Sequence, residues 1–125
     1  MNKNEKVVSL VQGIYFLITG IWPLVHIESF MAVTGPKNDL WLVRTVGALI
    51  TVIAVILLIA GLKNKVNWSV RLLAVLSAAG LATIDIYYTA INVISPVYLL
   101  DALAEIIIII WWLYQYVKAK NSSWI

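Results

Sequence analysis

Four ionisable side chains lie inside segments of this chain that are otherwise almost entirely apolar, and a fifth lies at the border of one. They are Arg44, Asp85, Asp101, Glu105 and, at the border, His26. A charged group is costly to place in hydrocarbon, so it persists there when it is paired, hydrated or used for binding or chemistry. Carboxyl groups in such a place can bind a cation, accept a hydrogen bond from a hydroxyl group or exchange a proton.

The composition of the chain is typical of a membrane protein. Of its 125 residues 62% are hydrophobic, and its mean hydropathy is +0.94, whereas soluble domains are about 45–50% apolar. We expect one domain, residues 1–125, with an all-α integral membrane fold. The chain has no cysteine, which excludes disulfides, iron–sulfur clusters and thiolate zinc sites. Its Lys and Arg residues form no dense patch, so nucleic acid is not an expected partner.

Four apolar segments are long enough to span a bilayer, which takes about 20 residues. They are 7–25, 40–62, 68–94 and 97–117. The first follows a short positive stretch, as in a signal peptide, but it has no small-residue cleavage site, so we interpret it as a retained span. The short connections predict an up-down-up-down four-helix bundle. Asn38 or Asp39 is expected to cap the second helix, and Ser95 with Pro96 to begin the fourth.

The distribution of basic residues predicts the orientation of the bundle. One side carries most of them: Lys3, Lys6, Lys63, Lys65, Lys118 and Lys120, with Arg71 nearby. The other side carries Lys37. Because positively charged loops stay in the cytoplasm, both termini are expected to be cytoplasmic. Trp41, Trp68, Trp111 and Trp112 fit the aromatic belts of the two interfaces.

Polar residues recur at a three–four spacing, which places them on single helix faces. On the first helix this face holds Gln12, Tyr15, Thr19, Trp22 and His26; on the third it holds Asp85, Tyr88 and Asn92. On the fourth helix, Asp101 and Glu105 are expected about 7 Å and 13 Å below the outer surface. Lipid does not accept such faces, so we expect them to line a pocket in the outer half of the bundle. The expected ligand-binding residues are Asp85, Asp101, Glu105, Arg44, His26, Tyr88, Asn92 and Trp22; neither a metal nor a cofactor is expected.

Three carboxyl groups against one guanidinium leave the predicted pocket with an excess of acid. Arg44 can pair with one carboxylate, and Asp101 or Asp85 is the expected partner. The other acids must be protonated, hydrated or compensated by a cation. Glu105 is the deepest and is the expected proton-exchanging member. Alternatively, Arg44 and one acid form a purely structural clamp between helices, and the remaining acids are hydrated near the surface.

In outline the chain resembles two groups of small four-helix membrane proteins, the DoxX-like and the EXPERA-type proteins. The latter include sterol isomerases and receptors for sterols and cationic amphiphiles. The resemblance rests on four spans in about this length, on Trp22 and Pro23, and on inward acids at Asp85, Asp101 and Glu105. It implies a pocket for a sterol-like or amphiphilic ligand.

The chain is also similar in size to the small multidrug transporters, which work as dimers. Their essential acid lies in the middle of the first helix, where this sequence has Tyr15, Phe16 and Thr19. This departure weakens the transporter interpretation.

These features favour a membrane protein whose outer-half pocket binds a small amphiphile or lipid, with an acid meeting a cationic or hydroxyl group. The alternatives are an accessory or structural subunit of a larger membrane complex, a proton- or cation-coupled small transporter, and an isomerase-like enzyme using Glu105 as an acid–base group. The expected partners are the lipid bilayer, a small amphiphile, and a second copy or larger complex. The small residues Ala74, Ala78 and Ala82 allow close packing inside the bundle or across a dimer seam.

Overall fold

The chain is helical almost throughout the residues that the structure describes. The computed structural model describes the backbone of residues 3–123 and the side chains of residues 5–118, and it contains no strand in that range. The helices are α1 (Lys3–Val25), α2 (Ile27–Thr34), α3 (Leu40–Leu62), α4 (Trp68–Ala90) and α5 (Tyr98–Ser123). The side chains of Lys3 and Lys120, which contributed to the predicted orientation, lie outside the described ones.

Four of these helices are long and apolar enough to cross a membrane. Within the described residues the segments are Glu5–Val25, Leu40–Leu62, Trp68–Ala90 and Tyr98–Lys118. The predictions of an all-α fold and of a multi-pass membrane protein are confirmed at this level. The predicted span 40–62 coincides with α3, whereas the predicted span 68–94 was too long.

The third span is shorter than predicted because Asn92 turns the backbone. Asn92 has a φ of 62°, a left-handed conformation that asparagine tolerates better than most residues. The N–H of Val93 then donates to the carbonyl of Tyr88 over 2.8 Å, as in a common helix C-terminal motif. Asn92 is exposed and lies beyond the helix, so the prediction that it continues the polar face of Asp85 was wrong.

The two predicted helix starts differ in outcome. The hydroxyl of Ser95 accepts a hydrogen bond from the N–H of Val97 over 3.3 Å, so Ser95 caps the turn that leads into α5. The helix itself begins at Tyr98, so the prediction that Pro96 is its first residue was wrong. Asp39 occupies the N-cap position of α3, but its side chain makes no capping hydrogen bond. Its carbonyl oxygen accepts from the N–H of Leu42 over 3.1 Å instead.

The short helix α2 was not predicted, because the sequence of residues 26–39 was interpreted as a loop. His26 caps its start: the ring Nδ1 accepts from the N–H of Ser29 over 3.2 Å. The indole N–H of Trp22 donates to the Ser29 hydroxyl over 2.8 Å, and the Trp22 ring meets that of Phe30 edge to face. At the other end, the Lys37 ammonium group donates to the Thr34 hydroxyl over 2.9 Å. These contacts fold the segment back onto the end of α1.

Glycines allow α1 and α3 to pack at close range. A Cβ at Gly20 would lie 2.8 Å from the carbonyl oxygen of Gly47 and 2.6 Å from the hydroxyl of Thr51, and one at Gly13 would meet Leu58. The partner of Gly13 lies further along α3 than the partner of Gly20, so the two helices are antiparallel. Small residues at such positions let helix backbones approach each other in a membrane. Gly13, Gly20 and Gly47 therefore form the close contact between α1 and α3.

The second close pair is formed by α4 and α5, and α1 contacts α5 as well as α3. The buried face of α4 carries the small residues Ala74, Ala78 and Ala82, of which the most exposed shows 5% of its surface. These alanines are covered within the single chain, which supports packing inside the bundle over a dimer seam.

Glycine-to-alanine substitutions test the contact between α1 and α3. Gly20→Ala places a methyl group against backbone atoms that cannot give way, so we expect a loss of about 1–3 kcal/mol in the free energy of unfolding. Gly80→Ala is the matched control, because a Cβ there meets nothing within 4 Å; it should be neutral or stabilising by up to about 1 kcal/mol. Denaturant titration of both variants in the same detergent measures the difference. Equal stability of the two variants would contradict the packing described.

Candidate functional site

The buried face of α1 is polar along much of its length. Glu5, Ser9 and Gln12 are each at most 1% exposed, and Tyr15 lies half-buried one turn further on. Each of these groups needs a protein partner, because burial of an unpaired polar group is costly and the bilayer offers no water. The partners come from α3, α4 and α5, and they form three layers along α1.

The first layer is an ion pair near the start of α1. The guanidinium of Arg71, on α4, donates to both carboxylate oxygens of Glu5, over 3.1 Å and 3.0 Å. The Arg71 side chain also lies over the ring of Tyr116, 5.2 Å from its centre. Two-point pairing of this kind is the strongest geometry for an arginine and a carboxylate. This pair was not predicted, because Arg71 was assigned to the basic flank and Glu5 to the polar N-terminal stretch.

The middle layer is centred on Gln12. Its side-chain amide nitrogen donates to the carbonyl of Ala74 on α4 over 2.9 Å, and its amide oxygen accepts from the indole N–H of Trp112 on α5 over 2.6 Å. One turn earlier, the Ser9 hydroxyl donates to the carbonyl of Leu57 on α3 over 2.7 Å. Gln12 thus joins three helices. Trp112 is 1% exposed, so its predicted place in an aromatic belt was wrong.

The third layer consists of three acids and one tyrosine, and it is named here the acidic cluster. Its members are Asp85, Asp101, Glu105 and Tyr15. The Tyr15 hydroxyl donates to the carboxylate of Asp101. Asp85, Asp101 and Glu105 lie close enough to one another to interact electrostatically. The structure therefore brings together the three acids that the sequence placed at one depth.

The acidic cluster contains buried atoms without partners. Asp85 is 5% exposed and Glu105 is 1% exposed, and Oδ2 of Asp85 and Oε2 of Glu105 accept no hydrogen bond. The hydroxyl of Thr89, one turn beyond Asp85, is also buried and unpaired. Neighbouring carboxylates repel one another, so the acidic cluster needs a proton, a water molecule or a cation to compensate them. The remaining oxygens are suited to a proton, a water molecule or a ligand headgroup.

Arg44 does not neutralise the acidic cluster. It is exposed, and the one ion pair within 4 Å among the described residues joins Arg71 to Glu5. The prediction that Arg44 pairs with Asp101 or Asp85 was therefore wrong. The physical reason is the position of α3, which packs mainly against α1 rather than against α4 and α5, the helices that carry the acids. The long side chain of Arg44 can reach the membrane surface from there.

Other predicted site residues also lie apart from the acids. His26 and Trp22 belong to the corner between α1 and α2, and both line a shallow apolar groove of about 390 Å³ on the outside of α1. Tyr88 is half-buried on α4, where its ring meets that of Tyr87 edge to face. Asn92 is exposed beyond the end of α4. None of these four side chains contacts Asp101 or Glu105 through a hydrogen bond or ion pair in the described part of the chain.

Tyr15 of the acidic cluster and Thr89, one turn beyond Asp85, were missing from the predicted site. Tyr15 lies on the predicted polar face of α1, but its spacing alone did not show that it points at Asp101. Thr89 gave no signal, because threonine is common in membrane helices. No set of three or more His, Asp or Glu residues within the described range is arranged to hold a metal ion.

Comparison with models of protein families, with curated proteins and with solved structures finds no match to this chain. The resemblance to DoxX-like and EXPERA-type proteins stays a prediction. The functional interpretation therefore rests on the geometry of the three layers.

The two arginines inside the predicted spans provide a test of the first layer. Arg71→Ala leaves the carboxylate of Glu5 buried and unpaired, which should cost about 3–5 kcal/mol in the free energy of unfolding. Arg44→Ala removes an exposed side chain with no ion pair, and its effect should be small. Denaturant titration of both variants in one detergent makes the comparison. An equal loss in both would show that the pair of Arg71 and Glu5 does not stabilise the fold.

Proposed function

We propose that this chain is an integral membrane protein that binds a small amphiphile or lipid through the acidic cluster. The observation that carries the proposal is the pair of buried, unpartnered oxygens on Asp85 and Glu105. Natural proteins satisfy most buried polar atoms, so unsatisfied atoms in one place need an explanation. A ligand headgroup supplies the missing partner, and the alkyl part of an amphiphile stays in the hydrocarbon.

The charge of the cluster selects the headgroup. Three carboxyl groups lie together without a basic side chain among the described residues around them, so an anionic headgroup is repelled. A cationic headgroup gains from the negative potential, and a hydroxyl group can donate to Asp85 or Glu105. The ligand class is therefore an amphiphile with an amine or hydroxyl headgroup.

The proposal includes a four-helix bundle that runs up-down-up-down with both termini in the cytoplasm. The side-chain contacts support this arrangement. Glu5 meets Arg71 and, further along both helices, Gln12 meets the Ala74 carbonyl, so α1 and α4 run in the same direction. The basic residues support the orientation. The acidic cluster then lies in the outer half of the membrane.

Single cysteines test the orientation directly, because the chain has none of its own. Asn38 and Lys65 are both exposed, in the connections at opposite ends of α3. Asn38→Cys should react with a membrane-impermeant maleimide added to intact cells. Lys65→Cys should react only after the membrane is permeabilised. The reverse pattern, or reaction of both in intact cells, would contradict the proposed topology.

Ligand binding is tested with dodecylamine and dodecanol as probes, and with dodecanoate as the anionic control. Binding to protein in nanodiscs is followed by the shift of the thermal unfolding midpoint. The first two probes should stabilise the protein and dodecanoate should not. Glu105→Gln should weaken binding of dodecylamine at least tenfold, which is about 1.4 kcal/mol. Glu28→Gln is the matched control, because Glu28 is an exposed acid on α2, and it should bind as the wild type does.

Two results would count against the proposal. The first is unchanged binding in both Glu105→Gln and Asp101→Asn. The second is native mass spectrometry of the gently extracted protein that shows a stable partner subunit and no bound small molecule, a result that favours the accessory-subunit function.

A further inference from the structure

We propose that the acidic cluster is reached from one side of the membrane only, because Gln12 and its partners close the interior beneath it. The open side is the one that carries α2, named here the α2 side. This inference rests on the proposed function for the location of the ligand site, and it adds the direction of access. A site closed from one side suits a receptor or carrier of a ligand from the α2 side, and it does not suit transport across the membrane.

The barrier consists of side chains that leave no room for water. Gln12 of α1 is 0% exposed, Trp112 of α5 is 1% exposed and Ala78 of α4 is 0% exposed. They come from three helices and lie at the level between the acidic cluster and Ser9. Close-packed interiors of this kind exclude water-sized molecules.

Both polar atoms of the Gln12 side chain also have partners in the protein. The amide oxygen of Gln12 is occupied by the Trp112 indole and its nitrogen by the Ala74 carbonyl. A water molecule or proton carrier needs polar groups with free hydrogen-bonding capacity. Passage through this level therefore requires these two hydrogen bonds to break.

The level of the acidic cluster holds three of the four buried side-chain oxygens without a hydrogen-bond partner among the described residues. They belong to Asp85, Glu105 and Thr89, and the fourth belongs to Gln115, on the other side of the barrier. Asp85 lies within the last two turns of α4, and Asp101 lies in the first turn of α5. The unsatisfied atoms and the short distance to the α2 side indicate the same direction of access.

Single cysteines in this cysteine-free chain test the inference. Thr89→Cys reports the level of the acidic cluster and Ser9→Cys the level below the barrier. The probe is a membrane-impermeant trimethylammonium methanethiosulfonate, added to either face of sealed cells and inverted vesicles. Thr89→Cys should be modified from the α2 side only, and Ser9→Cys should not be modified from that side. Adding Gln12→Ala should speed modification of Ser9→Cys from the α2 side at least tenfold.

Controls separate the barrier from a general loosening of the fold. Thr83→Ala, an exposed hydroxyl on α4 outside the barrier, should leave Ser9→Cys protected. Trp112→Phe removes the indole N–H and keeps an aromatic ring, so it opens the barrier in a second way if Gln12→Ala does not fold. Modification of Ser9→Cys from the α2 side with Gln12 and Trp112 intact would overturn the inference. Modification of Thr89→Cys from the opposite side would also overturn it.

The same samples distinguish this inference from the proposed function. If dodecylamine binds and slows the modification of Thr89→Cys, while Ser9→Cys reacts from both sides, the site exists and one-sided access is wrong. If the labelling pattern is as expected and dodecylamine binds nowhere, one-sided access stands and the proposed function is wrong.

Discussion

The packing of the helices depends on Gln12, whose side-chain amide is buried away from solvent. A glutamine amide needs several hydrogen-bond partners, and within a bilayer these must come from the protein. Gln12 finds them on two other helices, Ala74 on α4 and Trp112 on α5. The two bonds set where α1 lies along both helices. With that register, Glu5 lies level with Arg71 and Tyr15 lies level with Asp101, so one buried amide determines which polar groups meet on either side of it.

The sequence predicted the elements better than their contacts. Apolar length located all four spans, because hydrocarbon thickness imposes it, and depth along the helices brought Asp85, Asp101 and Glu105 to one level. Rotation about the helix axis was not predictable in the same way. Arg44 is exposed and away from the acids, because α3 packs mainly against α1 and not against the helices that carry them. The pair of Glu5 and Arg71 was missed for a related reason: hydropathy places both residues at the edge of their spans and says nothing about their partners.

Because Arg44 is not part of the acidic cluster, the carboxyl groups must be compensated in another way. With an arginine present, one carboxylate would be permanently neutralised and the cluster could be a static clamp between helices. Among the described residues no cationic side chain pairs with the cluster, and Asp85, Asp101 and Glu105 lie close enough to interact electrostatically. The cluster then holds together through at least one shared proton, a water molecule or a bound cation. Each of these can be exchanged, whereas a guanidinium on a packed helix cannot.

The three polar layers differ in a way that is informative about function. At the Glu5 and Gln12 layers the charged or polar groups of α1 have found partners, and such satisfied networks hold helices in a single arrangement. At the third layer, buried oxygens on Asp85, Glu105 and Thr89 lack partners. Replacing these side chains with hydrophobic ones would remove the free-energy cost of burying unpaired polar groups. Proteins depart from full satisfaction of buried polar groups mainly where function requires it. The other two layers already join α1 to α4 and α5. The retention of the acids in the third layer is best explained by a ligand or proton that binds there.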